Sequence, residues 1–411
     1  MKWHSIFNSY KLLILLYSMI VLVLFYRRPD AFYHSQFWAE EGTVFFKEAY
    51  EQGFLSIFNT CAGYYHLLPR LLAFLSVIVS LPLAYIPFLF CYTWLLVLFL
   101  IIWYLWNRLP FNDVEKLFLS LAIVLIPLQS EIFMNQTNIQ WVMVLFPIII
   151  FSSQEEDKNN KWFYFDCIVL VFSGFTGPNF IVLLPLFLFL LLSSKNNNFR
   201  KLLYLLAIIT GVLGFLSLVS HGSVNRVEGH FTLLNQGFIQ FIFVQYAFLF
   251  IGKLAFKMPF IVMCLGAIGV FGFYLYAFKK SLIQYNQKIF LFICITASLL
   301  FLGITLIAYR NEPSLLSPYY RGVRNFYIPA LLFVWVLMQL LFSHKHVTKI
   351  LIGIIVLFSL ELVLFVGAFK FEKIDVKSYS EKIYYSDSLV IPVNPKGWFI
   401  HLNKPYQYLN K

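Results

Sequence analysis

Two adjacent carboxylates, Glu40 and Glu41, stand in the run Phe37-Trp38-Ala39-Glu40-Glu41-Gly42-Thr43-Val44-Phe45-Phe46, with aromatic residues on both flanks. An ionised group among aromatics is costly unless it is used or paired. A carboxylate in a partly apolar pocket has a raised pKa, which suits it to take the proton from an attacking hydroxyl. Two carboxylates together could instead hold a divalent cation, Mg or Mn, against a phosphate leaving group. The plainer alternative is a helix start, where acidic residues favour the positive end of the helix dipole.

Further along, His66 and Arg70 are four residues apart and fall on one helical face, where a cation could orient the carboxylates or meet a phosphate. Arg310, Arg321 and Arg324 crowd into residues 309–325, and Arg321-Gly322-Val323-Arg324 sets two guanidinium groups at i, i+3. Planar, permanently charged donors of that kind suit a lipid phosphate or pyrophosphate better than lysine does. Two patches rich in carboxamides complete the set, one with Asn135, Asn138, Gln140 and Trp141, the other with Asn179. Such groups read sugar hydroxyls, with an indole as a stacking platform and His66 as a further polar contact. They also serve as ordinary interhelical hydrogen-bonding groups.

The elements that must position these residues are membrane helices. Of 411 residues 60% are hydrophobic and only 12% charged, with a mean hydropathy of +0.77. A soluble domain carries about 25% charged residues. Apolar runs recur over residues 1–369, which reads as one polytopic all-α membrane domain; residues 370–411 form a short polar tail expected as an ordered cap. The net charge of +12 falls largely in short basic loops between apolar runs. The positive-inside rule puts those loops in the cytoplasm, and no aromatic-interleaved basic stripe points to nucleic acid. The five cysteines show neither a disulfide framework nor metal-ligand spacing.

This scheme places the N-terminus in the cytoplasm and residues 27–65, the longest polar insertion, outside. Parity then requires an odd number of crossings in 66–106 and in 237–278, each long enough for two, so a re-entrant or interfacial helix is expected in each. The count is about eleven transmembrane helices, within a range of about 10–13.

An acidic pair in the first outer loop, Glu40-Glu41, with arginines in a late outer loop, Arg310, Arg321 and Arg324, resembles the C-type glycosyltransferase superfamily. The run 37–42 is also similar to the Trp-Ala-Glu-Asp-Gly pattern of uncharacterised bacterial membrane proteins of this organisation, with Glu41 where Asp often stands. The resemblance implies inverting transfer of a sugar from a polyprenyl-phosphate-linked donor to a lipid or surface-polysaccharide acceptor, on the outer face of a bacterial inner membrane. It implies Glu40 or Glu41 as the base, with arginines on the carrier phosphate. An O-antigen polymerase or ligase, and a transporter or flippase of lipid-linked sugars, are the alternatives. The first would not need the acidic pair; the second would be expected to show internal repeats.

Overall fold

The computed structural model describes residues 2–126, 131–153, 162–194, 198–221, scattered positions between 259 and 279, 285–308, 321–342, 371–380, 382–384 and 388–403. Arg310 and most of residues 237–278 lie outside the described residues. Long apolar runs fold as helices because a helix satisfies every backbone group within its own segment. Five helices are long and apolar enough to cross a membrane: Tyr10–Arg27, Leu83–Arg108, Asn198–His221, Gln287–Ala308 and Arg324–Phe342. The described chain is accordingly all-α, and these helices are compatible with the membrane setting expected from composition. Arg324–Phe342 is 83% buried inside the protein and Tyr10–Arg27 only 28%, so the former is central and the latter peripheral.

Between these run shorter apolar helices, Gln140–Ser152, Phe163–Gly174 and Asn179–Ser193, together with Asp113–Leu125 of 13 residues. Thirteen residues span about 20 Å, short of a hydrocarbon core of about 30 Å. Their ends therefore leave irregular, polar backbone deep in the protein, which is tolerated where protein surrounds it. Asp113–Leu125 shows how such a piece is held. Asn112 and Glu115 close a capping box at its start. At its other end Arg27, buried at the foot of the first helix, donates to Val124 O at 2.6 Å and Ile126 O at 2.9 Å. Tyr327 Oη donates to Ile123 O and Trp335 Nε1 to Leu119 O, so the central helix grips the same segment by aromatic donors.

Residues 66–106 contain one helix of spanning length, preceded by Leu67–Ile78, which at 12 residues is too short to cross. The break between them holds Pro82 and a 3-10 turn at Leu83–Tyr85, and Pro87 sits in the first turn of the next helix, where its missing N–H is harmless.

Little sheet is present. One antiparallel pair joins Thr60–Cys61 to Tyr64–Tyr65, and a second joins Leu389–Val393 to Trp398–Leu402. The second pair belongs to the tail, and it packs on the acidic segment. Ile391, Val393, Ile400 and Leu402 share a core with Phe37, Phe45, Phe46, Ala49 and Phe90. The expected ordered cap therefore lies on the same end of the molecule as Glu40 and Glu41.

Candidate functional site

The chain turns sharply at Ala39, which takes a φ of +34°. That region is strained for an L residue other than Asn or Asp. Beyond it the chain enters a π-helix, Glu41–Phe46, a wide turn that recurs at functional positions. The consequence is that the two adjacent carboxylates part company. Glu41 is 2% exposed; one oxygen accepts from the Trp38 backbone N–H at 2.9 Å and the other from the Gln136 N–H at 2.6 Å. Burial pushes its carboxyl up to about 7 against the pull of those amides and of Arg28. Glu40 is half-buried, and its carboxylate makes no hydrogen bond or ion pair among the described residues.

The pair therefore does not present two carboxylates to one cation. Among the described residues no group of three or more His, Cys, Asp or Glu comes together either. A metal shared by Glu40 and Glu41 does not fit this donor arrangement.

Glu40 lies within electrostatic reach of the small hairpin that ends at His66. Its charge bears on both Cys61 and Tyr64: burial lifts the Cys61 thiol to about 11 and the Tyr64 phenol to about 12, and Glu40 adds to each. Arg324 pulls the Tyr64 phenol the other way, and the Gln140 amide lies beside it. The acidic turn and the late arginine are thus within electrostatic reach of one side chain. His66, 3% exposed, packs its ring 4.8 Å from Tyr64 and 5.0 Å from Phe45. Burial and the nearby Arg70 charge hold His66 down to about 3, so it is a neutral imidazole whose Nδ1 has no partner among the described residues.

The arginines divide. Arg70, expected to orient the carboxylates or meet a phosphate, is fully buried. Its Nη1 pairs with Glu48 at 2.8 Å and donates to Ser56 O at 2.9 Å, and its face lies over Phe45. A guanidinium so engaged ties the Lys47–Gln52 helix to the helix after His66, and the sequence reading overlooked Glu48 as its partner. Arg324 is about one-third exposed and pairs with Glu131 at 3.1 Å. Arg321 opens the 3-10 turn Arg321–Phe326 in which Arg324 sits.

The carboxamide residues are brought together, but as a buried knot and not as an open wall. Asn135, Asn138, Gln140, Trp141 and Asn179 are between 1% and 9% exposed. Asn138 donates to Glu131 O, and Asn179 donates to Gln140 O at 2.6 Å, the interhelical role that was the plainer expectation. Gly177, at φ +105°, lies so close to Gln140 that a Cβ there would fall 1.9 Å from its Oε1. Gly177 N–H donates to Tyr65 O, and Leu67 N–H to Phe175 O, which stitches this knot to His66. Asn135 Nδ2, Thr137 Oγ1, Gln140 Oε1 and Trp141 Nε1 have no hydrogen-bond partner among the described residues.

Two features were not picked out from sequence. Arg28, fully buried, forms a forked ion pair with Asp30 (3.0 and 3.2 Å), donates to Phe133 O, and stacks over Phe371 of the tail at 4.1 Å. Their spacing, Arg-Pro-Asp straight after an apolar helix, was the available signal. Far from this site in sequence, Asp166 pairs with Arg108 at 2.9 Å and accepts from Tyr104 Oη. That knot ties two apolar helices.

No protein-family model matches the chain, and no curated protein matches it. The functional reading rests on the geometry just described.

Proposed function

We propose that the chain is a multi-span membrane glycosyltransferase that moves a sugar from a polyprenyl-phosphate-linked donor to a lipid or surface-polysaccharide acceptor, on the extracytoplasmic side of a bacterial inner membrane. In this reading about eleven helices span the bilayer with the N-terminus in the cytoplasm. The observation that carries it is the half-buried Glu40, unengaged among the described residues, with Glu40 and Arg324 both in electrostatic reach of the Tyr64 phenol. Glu40 accepts the proton of the acceptor hydroxyl as its oxygen attacks the anomeric carbon. The bond from that carbon to the donor's phosphate oxygen breaks with inversion, and the polyprenyl phosphate leaves with the bonding pair. Arg324, with Arg321 and Arg310 in the same loop, meets the charge on that phosphate. Glu41 holds the turn and Arg70 the adjoining helices, so neither takes part in the proton transfer.

The test uses purified protein in proteoliposomes with polyprenyl-phosphate-linked hexose and a lipid-linked acceptor. Glu40→Gln keeps the volume of the side chain, and should lower turnover about 10²–10⁴-fold with donor binding intact. Near-normal turnover in Glu40→Gln removes Glu40 as the base. If Glu41→Gln is also active, the enzyme reading of the pair fails and a flippase becomes the better account.

A further inference from the structure

We infer that the C-terminal cap, residues 371–403, is a positioning element for Glu40, acting through Asn394 and Ile400. The inference rests on the reading of Glu40 as the base and adds to it the part of the chain that aims it.

The contacts are concentrated on the turn itself. Asn394 O accepts from Ala39 N–H at 2.5 Å and Asn394 N–H donates to Phe37 O at 3.2 Å, so the cap pairs with the strand on either side of Trp38. The Asn394 side chain, buried, faces the other way: Oδ1 accepts from Glu372 N–H at 2.9 Å and Nδ2 donates to Glu372 O at 3.1 Å. One residue thus clips the hairpin to the acidic turn and to the segment that begins the cap. That segment delivers Phe371, whose ring stacks on Trp38 at 4.9 Å. Gln36 Nε2 donates to Ile374 O.

Ile400, fully buried, lies over the first turn of the π-helix. A Cβ added at Gly42 would come 2.7 Å from Ile400 Cδ1, 3.0 Å from its Cγ1 and 3.3 Å from Phe37 Cβ. Ala39 holds a left-handed φ between these contacts. A strained residue persists only where its surroundings over-determine it, and here the surroundings are Asn394 on one side and the Glu41 carboxylate on the other. The turn that separates Glu40 from Glu41 is therefore set by the cap, and Gly42 is the point at which the two surfaces touch.

A size exchange tests this. Gly42→Ala should push the π-helix off Ile400 and misdirect Glu40, and a displacement of order 1 Å is enough to slow catalysis by about 10- to 100-fold. The expected result is a fall in kcat of that size with donor KM within about threefold of wild type, and recovery of most of the rate when Ile400→Ala is added to Gly42→Ala. A second readout does not depend on turnover. The alkylation rate at position 40 in Glu40→Cys, read by mass spectrometry, should change on adding Gly42→Ala and return on adding Ile400→Ala as well. Normal kcat in Gly42→Ala, or a double variant as slow as the single one, overturns the inference. A shift in alkylation that Ile400→Ala reverses, in a protein whose Glu40→Gln variant is fully active, leaves the positioning intact and removes the catalytic reading instead.

Discussion

Glu41 gives the chain a pH-dependent stability whose sign and size follow from its burial. Its carboxyl moves from 4.5 to about 7 on folding, so between those values the folded chain keeps a proton that the unfolded chain has released. Stability from this group is complete below about pH 4.5 and declines by ~1.4 kcal/mol for each pH step above it. The decline levels off near pH 7, after a total of about 3 kcal/mol. Glu41→Gln carries no such proton. Its amide must set one NH₂ against the backbone N–H of Trp38 or Gln136, which costs a fixed amount at every pH. The informative quantity is therefore the slope of the difference between the two proteins, to which their common titrating groups contribute nothing. Unfolding in detergent, followed from pH 4.5 to 8.5, should show the variant gaining on the wild type by about 3 kcal/mol across the window and then holding level. Curves that stay parallel would refute the argument, because Glu41 would then titrate alike in the folded and unfolded chains.

Other outcomes follow from the same geometry. Glu131→Gln frees Arg324 from its half-exposed ion pair and should tighten binding of polyprenyl phosphate about 2–5-fold by calorimetry. Arg324→Ala should weaken it, and equal affinity in all three proteins would reduce the arginine to a surface contact. His66, held down to about 3, stays neutral throughout the working range, so His66→Gln should leave the shape of the pH–rate profile between pH 5 and 8 unchanged. Gly177→Ala meets both a positive φ and the Gln140 side chain, and should destabilise the fold by about 2–4 kcal/mol in thermal unfolding. Adding Gln140→Ala should recover only the steric share. Cysteines introduced at Thr43 and Lys396 should label from one and the same side of the membrane; opposite labelling would break the packing of the cap on the acidic turn.

The sequence made the class of the molecule legible because lipid leaves so few options: apolar runs must be helices, and the basic loops between them follow from charge alone. The aromatic-flanked carboxylates could be found for the same reason, since burying charge is rare enough to notice. Their separate roles could not be read, because that split depends on one backbone angle at Ala39 and on amides of Trp38 and Gln136, none of which leaves a mark in residue type. Arg70 reads as a cation available to the carboxylates or a phosphate because its ion-pair partner, Glu48, is 22 positions away and only the fold brings them together. The carboxamides read as sugar-binding groups or as interhelical hydrogen-bonding groups, and only the fold shows them buried, with Asn138 and Asn179 donating to backbone carbonyls. The hairpin in the cap was more accessible than the reading made it. Leu-Val-Ile-Pro-Val and Trp-Phe-Ile-His-Leu flank Asn-Pro-Lys-Gly, β-formers about a turn.

The bond between Gln36 and Ile374 joins residues 338 positions apart, and it bears on how the protein is made. A ribosome delivers the acidic turn first and its cap only after the helical body between them has been made. Throughout that interval Phe37, Phe45 and Phe46 have none of the cap residues that later cover them. Assembly of this face must therefore be a late event, waiting on synthesis of the hairpin strands. A cell that stalls translation ahead of the cap would hold a chain with its helical body made and its acidic turn not yet shaped.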